Sequence, residues 1–140
     1  MLLLPDQVAD RWDLFCRDIE GSLPPIVGSN YSIDSLLDAC LTGILQLWLV
    51  KNKEGGNSGL LVTTLHRDQA SATRMLLIYA AISYKGGKLD DWKDAYHTLE
   101  VFAKSKKCSG IMGYTSNETI AKYMKKLGCE TDERLIVWRW

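Results

Sequence analysis

The sequence predicts a single α/β domain spanning residues 1–140, with a mixed, mainly antiparallel central sheet flanked by helices in the order α-α-β-β-β-α-β-α-β. Three observations predict it. A hairpin signal, EGGNSG, lies between two apolar runs in the first half. Met75 to Ile82 (MLLIYAAI) is apolar throughout, as expected of a central strand covered on both faces. The last third, Ser109 to Trp140, reads strand, turn, helix, glycine stop, strand. A meander followed by two helix-bearing crossovers makes a mixed sheet, and such crossovers are right-handed.

The elements follow in order. Pro5 to Glu20 is a helix, because Val8, Trp12, Phe15 and Ile19 recur at helical spacing and Gly21 stops it. Ser22 to Tyr31 holds two prolines and Gly28 and reads as a loop. Ser32 is an N-cap for a second helix, with Ile33, Leu36, Leu37, Cys40 and Leu41 on one side and Gly43 as its stop. Ile44 to Val50 and Leu60 to Leu65 are the two hairpin strands. After the polar loop His66 to Thr73 comes the central strand Met75 to Ile82, then a loop with Gly86 and Gly87. Leu89 to Lys104 is amphipathic, with Leu89, Trp92, Tyr96, Leu99, Phe102 and Ala103 on the expected buried side. A short strand near Ile111 follows. Ser116 or Asn117 caps a last helix with Ile120, Met124 and Leu127 facing the core and Gly128 ending it. Leu135 to Trp140 reads as the final strand, one side of which points away from the core.

Composition narrows the function. Seventeen Lys and Arg balance seventeen Asp and Glu, so no global field favours nucleic acid or an anionic membrane. The lysines Lys104, Lys106, Lys107, Lys122, Lys125 and Lys126 form either a local basic patch or a solvated face. The apolar run Met1 to Leu4 ends at Pro5, too short for a signal peptide or a membrane span. Cys16, Cys40, Cys108 and Cys129 are scattered without a CxxC pair or a histidine ladder, so no metal site is expected. Reduced thiols imply a cytoplasmic protein.

The order of elements resembles the GNAT acyltransferase family, which binds acetyl-CoA between two splayed central strands. The resemblance covers most of the chain in topology and a short part of it in residues. The family's Asn-to-Gly helix is matched in spacing by Asn117, Ile120, Ala121 and Gly128. Its tyrosine position falls on Met124, with Tyr123 one residue early, and its phenylalanine position falls on Cys129. The family's pyrophosphate loop, a glycine-rich turn between a central strand and a helix, corresponds to Ser83-Tyr84-Lys85-Gly86-Gly87-Lys88-Leu89-Asp90-Asp91. Free amides and the positive end of a helix dipole hold phosphate at such a turn. Here Asp90 and Asp91 satisfy that dipole and repel a diphosphate.

Amine acetylation needs a base for the nucleophile and an acid for the leaving thiolate. Met124 cannot donate a proton, and Met75 to Ile82 has no carboxylate. Tyr79, Tyr84, His66 and His97 are the remaining groups, with His97 expected at the boundary of the core. The resemblance therefore implies a catalytically degenerate GNAT-like protein with no cofactor. It would act through contacts with a protein partner or a second copy by way of Leu135 to Trp140, and small domains of this type resemble virion-associated or accessory proteins of tailed bacteriophages. The alternative it implies is an acetyl-CoA-dependent N-acetyltransferase. That enzyme would hold the coenzyme with Ile82, Ser83, Lys85, Gly86, Gly87, Lys88 and Asn117, and use Tyr123 or Tyr84 as acid.

Overall fold

The computed structural model describes residues 1–115, 118–133 and 135–139, apart from the side chains of Thr119 and Tyr123. Helix α1 (Pro5–Glu20) begins on a proline at its first turn, where no amide partner is needed. The Gln7 Oε1 accepts the Leu4 amide at 2.9 Å. Helix α2 (Ile33–Leu41) is capped as the sequence predicts, with the Ser35 amide donating to Ser32 Oγ at 3.1 Å. Its exit uses Gly43 at φ +81°. Strands β1 (Leu45–Lys51), β2 (Asn57–Arg67) and β3 (Arg74–Ser83) form an antiparallel meander. Asn52 Oδ1 closes the β1–β2 turn by accepting the Glu54 and Gly56 amides at 3.0 and 2.8 Å. Helix α3 (Leu89–Ser105) carries the chain to β4 (Gly110–Gly113), which lies parallel to β3, and α4 (Glu118–Lys126) follows. The sheet order is β1-β2-β3-β4.

The meander buries both faces, which is why its strands read as near-continuous apolar runs. On one face α1 and α2 place Val8, Trp12, Phe15, Ile19, Leu36 and Cys40 against Leu47, Leu49, Leu60 and Val62. On the other, α3 places Leu99 and Ala103 against Trp48, Val50, Leu61 and Leu76. Each large aliphatic side chain fully buried there contributes about 1.5–3 kcal/mol. Trp48 meets Phe102 edge-on with ring centroids 5.0 Å apart, and its indole N–H donates to Thr63 Oγ1 at 2.9 Å.

One irregularity shapes the site. Val62 pairs with Ala80 but Thr63 pairs with Ile78, so Tyr79 is an extra residue in β3. The bulge reverses the alternation of faces. Before it, Leu76 and Ile78 face α3. After it, Ala80, Ile82 and Tyr84 face α1 and α2.

The structure corrects several sequence expectations. Met1 to Leu3 extends along the far edge of β1, with Leu2 bridging Trp48 and the Leu3 amide donating to the Leu47 carbonyl at 2.8 Å. The expected final strand is not formed among residues 135–139. β4 offers only a four-residue edge bounded by Gly110 and Gly113, and Arg139 instead donates to the Pro25 carbonyl in the α1–α2 loop. Ile136 and Trp138 are consequently 91% and 86% exposed. Trp140, the caps Ser116 and Asn117, and the Tyr123 side chain lie outside the described residues. Ile120 and Leu127 are exposed rather than core, because α4 packs little onto the sheet layers. Leu89, Tyr96 and His97 are likewise exposed, since they lie off the stripe Leu99–Ala103 that meets the sheet.

Candidate functional site

β3 is longer than its parallel neighbour. The two pair from Met75–Gly110 to Ile78–Gly113, and there the ladder ends. β3 continues to Ser83, so its edge from Tyr79 to Ser83 faces an opening with no strand beside it among the described residues. On the α3 side this stretch presents the exposed Ala81 and Ser83. The opening leads directly into the turn that precedes α3.

That turn is built from glycine. The Gly87 amide donates to the Tyr84 carbonyl at 3.1 Å, and Gly86 takes φ +86° at the third turn position, where a side chain is strained. A Cβ on Gly87 would stand 2.8 Å from the Ser58 carbonyl oxygen, so the backbone here lies directly on β2. Among the described residues, the amides of Lys85, Gly86, Leu89 and Asp90 donate to no protein acceptor. Lys85 and Lys88 are exposed beside them. Orphan amides, a helix N-terminus and two cations make an anion cradle in form.

The two aspartates behave differently. Asp91 turns inward and is 5% exposed. Its Oδ2 accepts from Ser58 Oγ at 2.6 Å and from the Lys88 amide at 3.0 Å, the reach-back of a capping box. The Ser58 hydroxyl first, and then the Lys88 amide, hold its carboxyl below the usual carboxylate range. Asp90 points outward and pairs with Lys93 at 3.6 Å. The expectation that both carboxylates occupy a diphosphate's ground is therefore corrected. Asp91 removes one amide from the cradle and leaves a buried charge behind it, but its side chain does not fill the front.

The other expected site residues separate. Ile82 is packed toward the α1–α2 core, so it offers the opening only its backbone. Tyr84 turns the same way, and its phenol donates to Asp18 Oδ2 on α1 at 3.2 Å. Burial, then the Asp18 charge, pushes its pKa up to about 12. A phenol so placed braces the turn against α1 and does not face the opening. Met124 is half-buried on α4. Asn117 and the Tyr123 side chain lie outside the described residues. His97 sits 3.7 Å from Glu100 on the exposed side of α3. The sequence reading places Ser58 and Gly59 in the hairpin turn, whereas the structure places both on β2, where a glycine permits close backbone approach. Asp18 carried no signal in the sequence.

Comparison with solved structures decides the fold. A structure of the aminoglycoside acetyltransferase AAC(6')-Iy with a bisubstrate analogue superposes with a TM-score of 0.70 at 16% identity, over 100% of this chain and 95% of the other. The ribosomal-protein-alanine N-acetyltransferase from Brucella melitensis biovar Abortus 2308 gives 0.68 at 12% identity, covering 100% and 98%. An acetyltransferase from Trypanosoma brucei gives 0.67 at 15% identity, covering 100% and 97%. The chain has the GNAT acetyltransferase fold. No protein-family model matches the sequence, and no curated protein is similar to it in sequence. In this chain the pairing of β3 with β4 ends at Ile78 and Gly113. No helix among the described residues is long and apolar enough to cross a membrane.

The Tyr84–Asp18 brace has a pH signature. The folded state keeps a proton that the unfolded chain loses near the ordinary phenol value of 10.0 and holds it until about 12. Its contribution to stability is therefore intact below the lower value and lost as pH rises toward the upper one. Tyrosinate absorbance should show one phenol ionising last in the wild type and absent from Tyr84→Phe. An unchanged late phase in that variant would contradict the brace.

Proposed function

We propose that the protein binds acetyl-CoA in the opening between β3 and β4 and transfers the acetyl group to an amine. The observation that carries this reading is the continuous path from the unpaired β3 edge, Tyr79 to Ser83, into the turn with four unpartnered amides. The residues present fit the group. The Gly87 backbone leaves no room for a side chain, so amides rather than side chains line the cradle. The amides of Lys85, Gly86, Leu89 and Asp90 would hold the diphosphate, with Lys85 and Lys88 adding charge. Ser83 and the β3 edge would align the pantetheine amides as a further strand would be aligned. Asn117 is assigned to the coenzyme on sequence grounds alone. Bound acetyl-CoA supplies an activated thioester.

Proton handling is the sparse part of the site. β3 offers no carboxylate, Met124 donates nothing, and the Tyr84 proton is directed to Asp18. Tyr123 is the acid we assign, from its place one residue before the family's tyrosine position. The incoming amine, deprotonated by solvent, needs no further base at alkaline pH.

Release of coenzyme A thiol in the presence of an amine panel tests the reaction. The expected result is amine-dependent release, with kcat reduced at least tenfold in Tyr123→Phe and KM for acetyl-CoA raised about tenfold in the Lys85→Ala/Lys88→Ala variant. Absence of release with every amine would overturn the reaction.

A second reading keeps the fold and drops the chemistry. The exposure of Ile136 and Trp138 favours it, because large apolar groups left in water mark contact surfaces. In that reading the protein works as a structural or accessory component, the virion-associated role being one form of it, and needs no cofactor. Isothermal titration separates the two: micromolar acetyl-CoA binding supports the first, and no binding at about 1 mM leaves the second.

A further inference from the structure

The charges that cancel over the whole chain do not cancel locally. Between Pro5 and Leu41, the segment of α1 and α2, there are seven carboxylates and two arginines. Between Val101 and Gly128, which takes in the end of α3, β4 and α4, there are six lysines and one carboxylate. A molecule of zero formal net charge is therefore strongly dipolar.

The outer faces sharpen this. On α1, Asp6, Asp10 and Asp13 lie at helical spacing along one exposed stripe, with Leu14 beside them and 72% exposed. Arg17 closes the same stripe. On α4, Lys122, Lys125 and Lys126 lie at i, i+3 and i+4 and are all exposed, with Leu127 next to them and 53% exposed. Among the described residues, Asp6, Asp10, Asp13, Lys122 and Lys126 make no ion pair, and Lys125 reaches only Asp132, at 3.9 Å. Three unpaired carboxylates around an exposed leucine thus match three exposed lysines around another, on different elements of one chain.

We propose that a second copy of this chain supplies the partner, with α4 of one protomer lying along the outer face of α1 of the other. Leu127 and Leu14 form the apolar centre, and the lysines and aspartates form the rim. Charge complementarity of this kind sets register and association rate more than affinity, so the assembly is weak and salt-sensitive. If each α4 meets the partner's α1 the contact is two-fold and closes as a dimer. The inference does not rest on acetyl-CoA binding, since self-association is read without ligand.

Light scattering at about 20 mM and at about 500 mM salt tests it, since that range shortens the screening length several-fold. The expected result is a mass above the monomer at low salt that falls to the monomer at high salt. The variants K122E/K125E/K126E and D6K/D10K/D13K should each weaken self-association at least tenfold. An equimolar mixture of the two should associate, as should one chain carrying all six changes. Circular dichroism of each variant guards against loss of fold, and the mixture reads the contact independently of either variant's own self-association. A wild type that stays monomeric at low salt overturns the proposal. So does loss of association in the lysine variant with none in the aspartate variant, which would point to a polyanionic partner.

Discussion

Asp91→Ala is expected to lower Tm by roughly 3–6 °C, and Asp91→Asn is expected to bind acetyl-CoA roughly 3–10-fold more tightly than the wild type. The two results come from one side chain. The Asp91 carboxylate is buried with the Ser58 hydroxyl at 2.6 Å and the Lys88 amide at 3.0 Å. Truncation to alanine leaves both donors without an acceptor beneath the turn, the costly way to break a buried hydrogen bond. The N-terminus of α3 also loses its capping carboxylate. Asparagine keeps an acceptor for the Lys88 amide and a polar partner for Ser58, so the turn keeps its shape. What it removes is the negative charge behind the anion cradle. In the wild type that carboxylate stays ionised well into acid, because its partners hold its pKa below the ordinary value. Its contribution to stability is present above the ordinary carboxylate range and is lost only as pH falls through the lowered folded value. Thermal melts and calorimetric titration of the two variants measure both effects. An Asn variant that binds no better than the wild type would show that the charge behind the turn does not act on the ligand.

Gly59→Ala should destabilise the protein by about 2–4 kcal/mol, and Gly59→Val should leave it unfolded. Gly59 sits on β2 opposite Ser83, where the end of β3, the start of α3 and the hairpin converge. A Cβ built there would stand 2.6 Å from the Ile82 carbonyl oxygen and 2.6 Å from Trp92 Cζ2. The first atom is backbone of the paired strand and cannot retreat without breaking the ladder. The second belongs to the ring that seats α3 on the sheet. Urea unfolding gives the loss directly. Because the same displacement shifts the first turn of α3, surviving Gly59→Ala protein should also lose acetyl-CoA affinity. A variant with unchanged urea midpoint would mean that the α3 seat is looser than the packing indicates.

How far the sequence revealed this can be argued from the same residues. The hairpin strands, the central strand and the buried faces of α1 and α2 were legible, since period and turn chemistry are local properties. The glycine turn before α3 was legible too, from two adjacent glycines between an apolar strand and an amphipathic helix. The bulge at Tyr79 was not, because Ile78, Tyr79 and Ala80 are all apolar and the extra residue is defined only against Val62 and Thr63 on β2. The inward turn of Asp91 depends on Ser58, a partner far away in sequence. Leu135 to Val137 is apolar and rich in β-branched residues, as strands are, but strand formation needs an edge, and β4 is too short to supply one. Likewise α4 has an amphipathic pattern that predicts burial, while nothing in the pattern states against which body the apolar side packs. The folded chain leaves Leu127 in water.

The central claim is that the turn after β3 receives the diphosphate of acetyl-CoA, and a titration of the amide resonances with acetyl-CoA tests it most directly. The account predicts saturable shifts at Lys85, Gly86, Leu89 and Asp90, with slower hydrogen exchange at the same four amides and smaller shifts along Tyr79 to Ser83. Amides of this turn that stay unmoved up to about 1 mM acetyl-CoA, or shifts confined to another face of the molecule, would contradict it.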